Sequence, residues 1–155
     1  WLGLGGVCFV GRPIRVACWL GDECNVVRYL PQGHNPERIL LSAGGVGLGR
    51  AALNKATNYA KERIVFDRPI GMNQGIQHPL AESWAELEAA NLMAFAAAQK
   101  YDQGEHCGAE ANAAKYLAGE AAFKACTNAI QTPGGMGYAQ AVAYTHPTLP
   151  TIYPV

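Results

Sequence analysis

The sequence predicts an all-α protein, an up-and-down bundle of three long helices with irregular ends. Three observations predict it. In three long stretches the apolar residues recur every three or four positions, the helical period. Each stretch closes on glycine or proline, which end helices. The connections between them are short, so helices adjacent in the chain are expected to run antiparallel.

Residues 1–20 are glycine-rich and apolar and form no assignable period; Val7 to Val10 reads at most as a short buried strand. From Gly21 to Gly33, Val26, Val27 and Leu30 share a helical face, and Pro31 and Gly33 are expected to stop a short helix there. The main helix is read over Pro36 to Val65. Asn35 suits its N-cap, Pro36 its first position and Glu37 its first turn, where the helix dipole favours a carboxylate. Ile39, Val46, Leu53 and Ala56 or Ala60 mark its core face. A turn from Asp67 to Met72 leads to a second helix, capped by Asn73 and ending near Gln103 before Gly104. Ile76, Leu80, Trp84, Leu87, Leu92 and Phe95 are its expected apolar positions, with Glu82, Glu86 and Glu88 facing away. Pro79 implies a kink or a late start. The third helix is read over Ala109 to Thr132, alanine-rich, with Leu117, Phe123 and Ile130 as its larger core residues. Pro133 ends it, and the glycines of Thr132-Pro133-Gly134-Gly135-Met136-Gly137-Tyr138 free the backbone to approach something bulky, or simply to turn.

Composition narrows the function. Half of the 155 residues are hydrophobic, enough for one real core, and the formal net charge is zero, which gives no support to a nucleic-acid binder. No apolar run reaches the roughly 18 residues of a membrane span. Five cysteines, an odd number without a Cys-x-x-Cys pair, look like reduced thiols and not a disulfide frame or a zinc site. Gly44, Gly45, Gly47 and Gly49 do not make a dinucleotide loop, because Arg50 and Ala52 stand where Gly-x-Gly-x-x-Gly needs glycine. No Glu precedes any His by three, so a carboxylate-bridged di-iron bundle is not encoded and no metal is expected. Ser42 and Ser83 lie within helices, with no nucleophile elbow around them. By residue chemistry alone the long helix carries Glu37 and Arg38 at one end and Lys61, Arg63, Phe66 and Arg68 at the other. These are either capping charge and a solvated turn or two ends that hold a ligand.

The order and spacing of five pieces say more. They are Gly33-x-Asn35-Pro36-Glu37-Arg38-Ile39; Tyr59-Ala60-Lys61-Glu62-Arg63-x-x-Phe66; Pro69-Ile70-Gly71-x-x-Gln74-x-Ile76-Gln77-x-x-Leu80-Ala81; Ala114-Lys115; and Gln131-x-x-Gly134-Gly135-x-Gly137-Tyr138. Together they make residues 21–139 resemble the C-terminal helical domain of the flavin-dependent acyl-CoA dehydrogenases. The resemblance implies α,β-dehydrogenation of an acyl-CoA thioester with hydride transfer to FAD. It implies that Arg63, Phe66 and Gln74 touch the FAD of a neighbouring subunit, that Gln131 and Gly135 support the phosphate and adenosine parts, and that Arg38 lies beside the thioester. Within the family, the glutamate that removes the α-proton stands either beyond the glycine-rich loop or in a Glu-Arg pair opening the long helix. Glu37-Arg38 matches the second arrangement, and a first-turn dipole partner is the alternative role.

The implied partners are the acyl-CoA substrate, further copies of the chain as a dimer of dimers, and an electron-transfer flavoprotein, with no nucleic acid and no membrane span. The implied location is the cytoplasm, or the mitochondrial matrix of a eukaryote. His34 and Pro31 depart from the apolar residues expected near the substrate. Residues 1–20 are unassigned and 140–155 read as a non-family tail, disordered or artefactual, so a fragment truncated at both ends is expected. A non-catalytic helical interaction module and an acyl-CoA oxidase-type relative are the competing readings.

Overall fold

The computed structural model of the chain describes residues 26–138, without the side chains of residues 26–28 and 31–32. The readings for 1–20, Val7–Val10 and 140–155 lie outside it. Helix α1 spans Val26–Glu62, α2 Gln74–Asp102 and α3 Gly108–Gln131. Between α1 and α2, strands β1 (Ile64–Val65) and β2 (Arg68–Pro69) form a small antiparallel hairpin, followed by a 3-10 turn over Ile70–Met72. A second 3-10 turn, Gly134–Tyr138, follows α3. Arg50 with Glu88, and Thr57 and Ala60 beside Ile76 and Leu80, set α2 antiparallel to α1, while Lys124 with Glu86 and Lys100 with Glu110 set it antiparallel to α3. Gly45 against Ala118 and Gly49 against Ala122 set α1 and α3 side by side in the same direction. The bundle is all-α, up-down-up.

The start of α1 corrects the sequence reading. One helix of 37 residues, about 55 Å long, replaces the expected short helix and its stop at Pro31 and Gly33. Asn35 is not a cap and Glu37 is not in a first turn, which holds no acidic residue. At Asn35 the physical reason is packing. Asn35 is buried against Gly108 at the start of α3 and accepts from Arg38 Nη1 at 3.4 Å. Pro31 and Pro36 each forfeit one ladder bond, yet the helix runs through both. The second helix likewise runs through Pro79 from Gln74. Ser83 Oγ and Asn128 Nδ2 both donate to the Pro79 carbonyl, at 2.8 and 3.2 Å, and Asn128 also donates to Ser83 Oγ at 2.8 Å. Asn128→Ala leaves the buried Ser83 hydroxyl without its donor and is expected to cost about 1 to 2 kcal/mol. A fall in the urea midpoint at unchanged slope measures it.

The core differs from the one expected. Val46, Leu53, Ala56, Ala60 and Leu87 are buried as read. Most of the remainder is alanine, chiefly Ala90, Ala94 and Ala97 of α2 and Ala111, Ala114, Ala118, Ala121, Ala125 and Ala129 of α3. Trp84, Leu92, Phe95, Leu117 and Phe123, read as core, are exposed. The helices approach too closely to admit large side chains in the seam. A Cβ at Gly49 would stand 2.7 Å from a Leu87 methyl. The glutamates read as facing away instead bridge helices: Glu88 accepts twice from Arg50, and Glu82 and Glu86 both bind Lys124.

Gly104, at φ +73, ends α2 as expected. Across the turn it makes, Lys100 binds Glu110, which raises the lysine pKa and lowers that of the carboxyl. A depressed carboxyl stabilises the fold above its unfolded pKa, about 4.3, and that share is lost as pH falls through the folded value. Glu110→Gln should therefore lower stability at neutral pH by the small amount an exposed pair contributes, leave stability below the folded pKa unchanged, and so flatten the acid limb of a stability-against-pH curve measured by urea unfolding.

Candidate functional site

The sequence-selected residues fall into two groups, one within the first half of α1 and the other around its C-terminal end and the turns beyond it. Glu37 and Arg38 sit in its first third, and from Glu37 to the end of the helix is roughly 38 Å. Glu37 is exposed and its Oε2 lies 3.1 Å from His34 Nδ1, one turn earlier. Arg38 is half-buried, turned back to Asn35. Leu40 and Leu41 next to this pair are exposed, giving the carboxylate an apolar flank.

At the other end, Arg63 leaves α1 with its N–H still bonded to the Tyr59 carbonyl at 2.9 Å. The hairpin follows at once. Its register pairs Ile64 with Pro69 and Val65 with Arg68, so the loop is only Phe66 and Asp67. Both have positive φ, 52° and 60°, as a two-residue hairpin of right-handed twist requires. Neither is glycine, and such backbone costs about 1 kcal/mol or more per residue. The turn thereby presents Phe66 with 93% of its surface exposed. Gln74, exposed, opens α2 just beyond.

The fold brings Arg63 together with the glycine-rich turn after α3. They line one cleft of about 430 Å³ with Tyr59, Val65, Thr132 and Met136. Nothing stands within 4 Å of where a Gly135 side chain would begin, so the backbone there is open to a ligand. Gly137 is the opposite case, since a Cβ would lie 2.2 Å from the Ile130 carbonyl oxygen and only glycine lets the turn close on α3. Among the described residues the Arg63 guanidinium is in no ion pair. An exposed cation beside an open glycine backbone suits a phosphate. Gln131 is exposed at the last position of α3 but does not line this cleft.

Sequence reasoning passed over Tyr59 and Thr132 as cleft residues. Tyr59 stands four before Arg63, a helical neighbour spacing that could have found it. Thr132 offers no signal; it is buried by the turn, its hydroxyl donating to the Asn128 carbonyl at 2.8 Å. Ser42 and Ser83 donate to carbonyls four residues back in their own helices, and Cys126 is a buried thiol whose pKa burial raises. Among the described residues no group of three His, Cys, Asp or Glu could hold a metal, and no helix is long and apolar enough to cross a membrane.

Comparison with known proteins matches residues 27–149 to the family model described as acyl-CoA dehydrogenase, C-terminal domain. The chain is 44% identical over 142 residues to the acyl-CoA dehydrogenase fadE12 of Mycobacterium bovis, covering 88% of this chain and 37% of the relative. It therefore spans little more than a third of that relative's length. Among solved structures it matches a glutaryl-coenzyme A dehydrogenase in complex with glutaryl-CoA at a TM-score of 0.76, with 37% identity over 88% of this chain and 35% of the other. PigA with FAD and proline matches at a TM-score of 0.76, with 29% identity over 81% and 33%.

Proposed function

The chain belongs to the acyl-CoA dehydrogenase family, and from that premise we propose that it is the helical part of an FAD-dependent enzyme that dehydrogenates an acyl-CoA thioester between its α and β carbons. The observation that carries this reading is the cleft where Arg63 meets the open backbone of Gly135. A dinucleotide needs a guanidinium or amides for its pyrophosphate and a flat apolar contact for its rings, and Arg63, Gly135 and exposed Phe66 fit those needs. Gln74 and Gln131 have amides able to meet the remaining polar edges. When bound, FAD supplies the acceptor for the β-hydride.

The rest of the chemistry falls to the other end of α1. Glu37 takes the α-proton onto a carboxylate oxygen, and Arg38 lies beside the thioester. His34 Nδ1 stands 3.1 Å from the Glu37 carboxylate, one turn away on the same helix. Leu40 and Leu41 offer apolar surface to the acyl chain and help keep water away from the base. Arg63 and Glu37 stand at opposite ends of one long helix, too far apart to serve the same flavin. Each chain then contributes to two active sites, its basic end completing the cofactor site of another copy. That division supports a homo-oligomer, a dimer of dimers, and the exposed Trp84, Leu92, Phe95 and Phe123 supply apolar surface for it. Electrons would pass from the enzyme to an electron-transfer flavoprotein.

The test is direct. The full-length protein containing this chain should purify with flavin absorbance and bleach anaerobically on adding one of a series of saturated acyl-CoA thioesters. Protein that neither takes up FAD nor bleaches with any of them overturns the proposal.

A further inference from the structure

The hairpin after Arg63 cannot hold its own shape. β1 and β2 have two residues each, and even a longer isolated two-stranded hairpin is marginal in water. Its loop places two non-glycine residues at positive φ, and Phe66 is almost wholly exposed, so its side chain contributes little packing in return. Bonds outside the ladder must keep the turn closed.

Asn73 makes them. Its side-chain oxygen accepts from Arg68 Nη2 at 2.7 Å, and its side-chain nitrogen donates to the Ile70 carbonyl at 3.0 Å. Its backbone N–H donates to the same carbonyl at 3.1 Å, and the Ile70 N–H donates to the Arg63 carbonyl at 2.9 Å. One residue thus ties strand β2 to the 3-10 turn and, through Ile70, to the backbone of Arg63. Asn73 stands at the N-cap of α2, where asparagine usually accepts from the first free amides. Here its side chain makes no capping bond, and the Ile76 and Gln77 amides are satisfied by the Asn73 backbone carbonyl instead. The side chain is spent on the hairpin. Arg63 is the guanidinium that lines the cleft.

We propose that Asn73 is a positioning residue for cofactor binding: it clamps the hairpin so that Arg63 and Phe66 are held in their binding arrangement before the ligand arrives. The proposal rests on the FAD reading given above. Pre-ordering raises affinity by removing an ordering cost from the binding step.

Asn73→Ala in the full-length protein is expected to weaken FAD binding about tenfold, the scale of one charged hydrogen bond. Helical content and thermal midpoint should stay near wild type, and the Ile70 amide should exchange faster in the apoprotein. Adding Asp67→Gly, which places glycine at a positive-φ position, should recover most of the lost affinity. A residue that merely supported the start of α2 would not be rescued by a change in the hairpin loop. Wild-type FAD affinity in Asn73→Ala, or no recovery on adding Asp67→Gly, overturns the proposal. Arg63→Ala separates the two levels: if it leaves FAD affinity unchanged, the cofactor reading fails. The Ile70 exchange rate in Asn73→Ala then decides the clamp alone, and an unchanged rate refutes it.

Discussion

Glu37→Gln in the full-length enzyme is expected to slow flavin reduction by substrate at least about a hundredfold, the low end for loss of a general base, with FAD content unchanged. Glutamine keeps the size of glutamate and can still hydrogen-bond His34, but it cannot take up a proton at the reacting distance. The side chain is exposed in the single chain and flanked by exposed Leu40 and Leu41. In the assembled enzyme those apolar neighbours, the substrate and the remaining protein would exclude the water that levels its basicity. Stopped-flow absorbance at the flavin band measures the effect. A near wild-type rate would show that Glu37 serves the helix surface only and that the base lies elsewhere in the protein.

Arg63→Ala should weaken FAD binding roughly tenfold to a hundredfold, since a charge-assisted hydrogen bond contributes about 1.5 to 3 kcal/mol. The cleft pairs this guanidinium with an open glycine backbone, and among the described residues no carboxylate competes for it. Arg63→Lys keeps the charge but loses the planar fork, and should fall between the wild type and alanine. Equilibrium dialysis of apoprotein against FAD gives the affinities directly. Equal affinity in all three would return Arg63 to the role of a solvated turn residue. The two effects should separate cleanly: Glu37→Gln alters the rate and spares the cofactor, whereas Arg63→Ala loosens the cofactor first. Their separation follows from the length of α1, which holds the two side chains roughly 38 Å apart.

Much of this protein was legible along the chain, where local chemistry is the whole cause. Gly104 ends α2 because its backbone is left-handed there, and Pro133 bounds α3, so two of the helices were readable to within a residue or two. The spacing from Arg63 to Phe66 and Gln74, and from Gln131 to Gly135, carried the family, because a short segment keeps its residues near one another however the rest folds. Tertiary structure alone decided what depends on a distant neighbour. Asn35 and Pro36 have every local mark of a helix start, yet they lie inside α1, with Asn35 buried beside the start of α3. The helical period identified apolar faces but not which members lie inside: alanine and glycine let the backbones close to a distance that expels Trp84, Leu92, Phe95 and Phe123. The Arg50–Glu88 pair and the Lys124 bridges join residues far apart in sequence, so no periodicity could forecast them. The same is true of the cleft. Arg63 and Gly135 lie on separate helix ends, and they meet only because the alanine seam sets α1 and α3 in register.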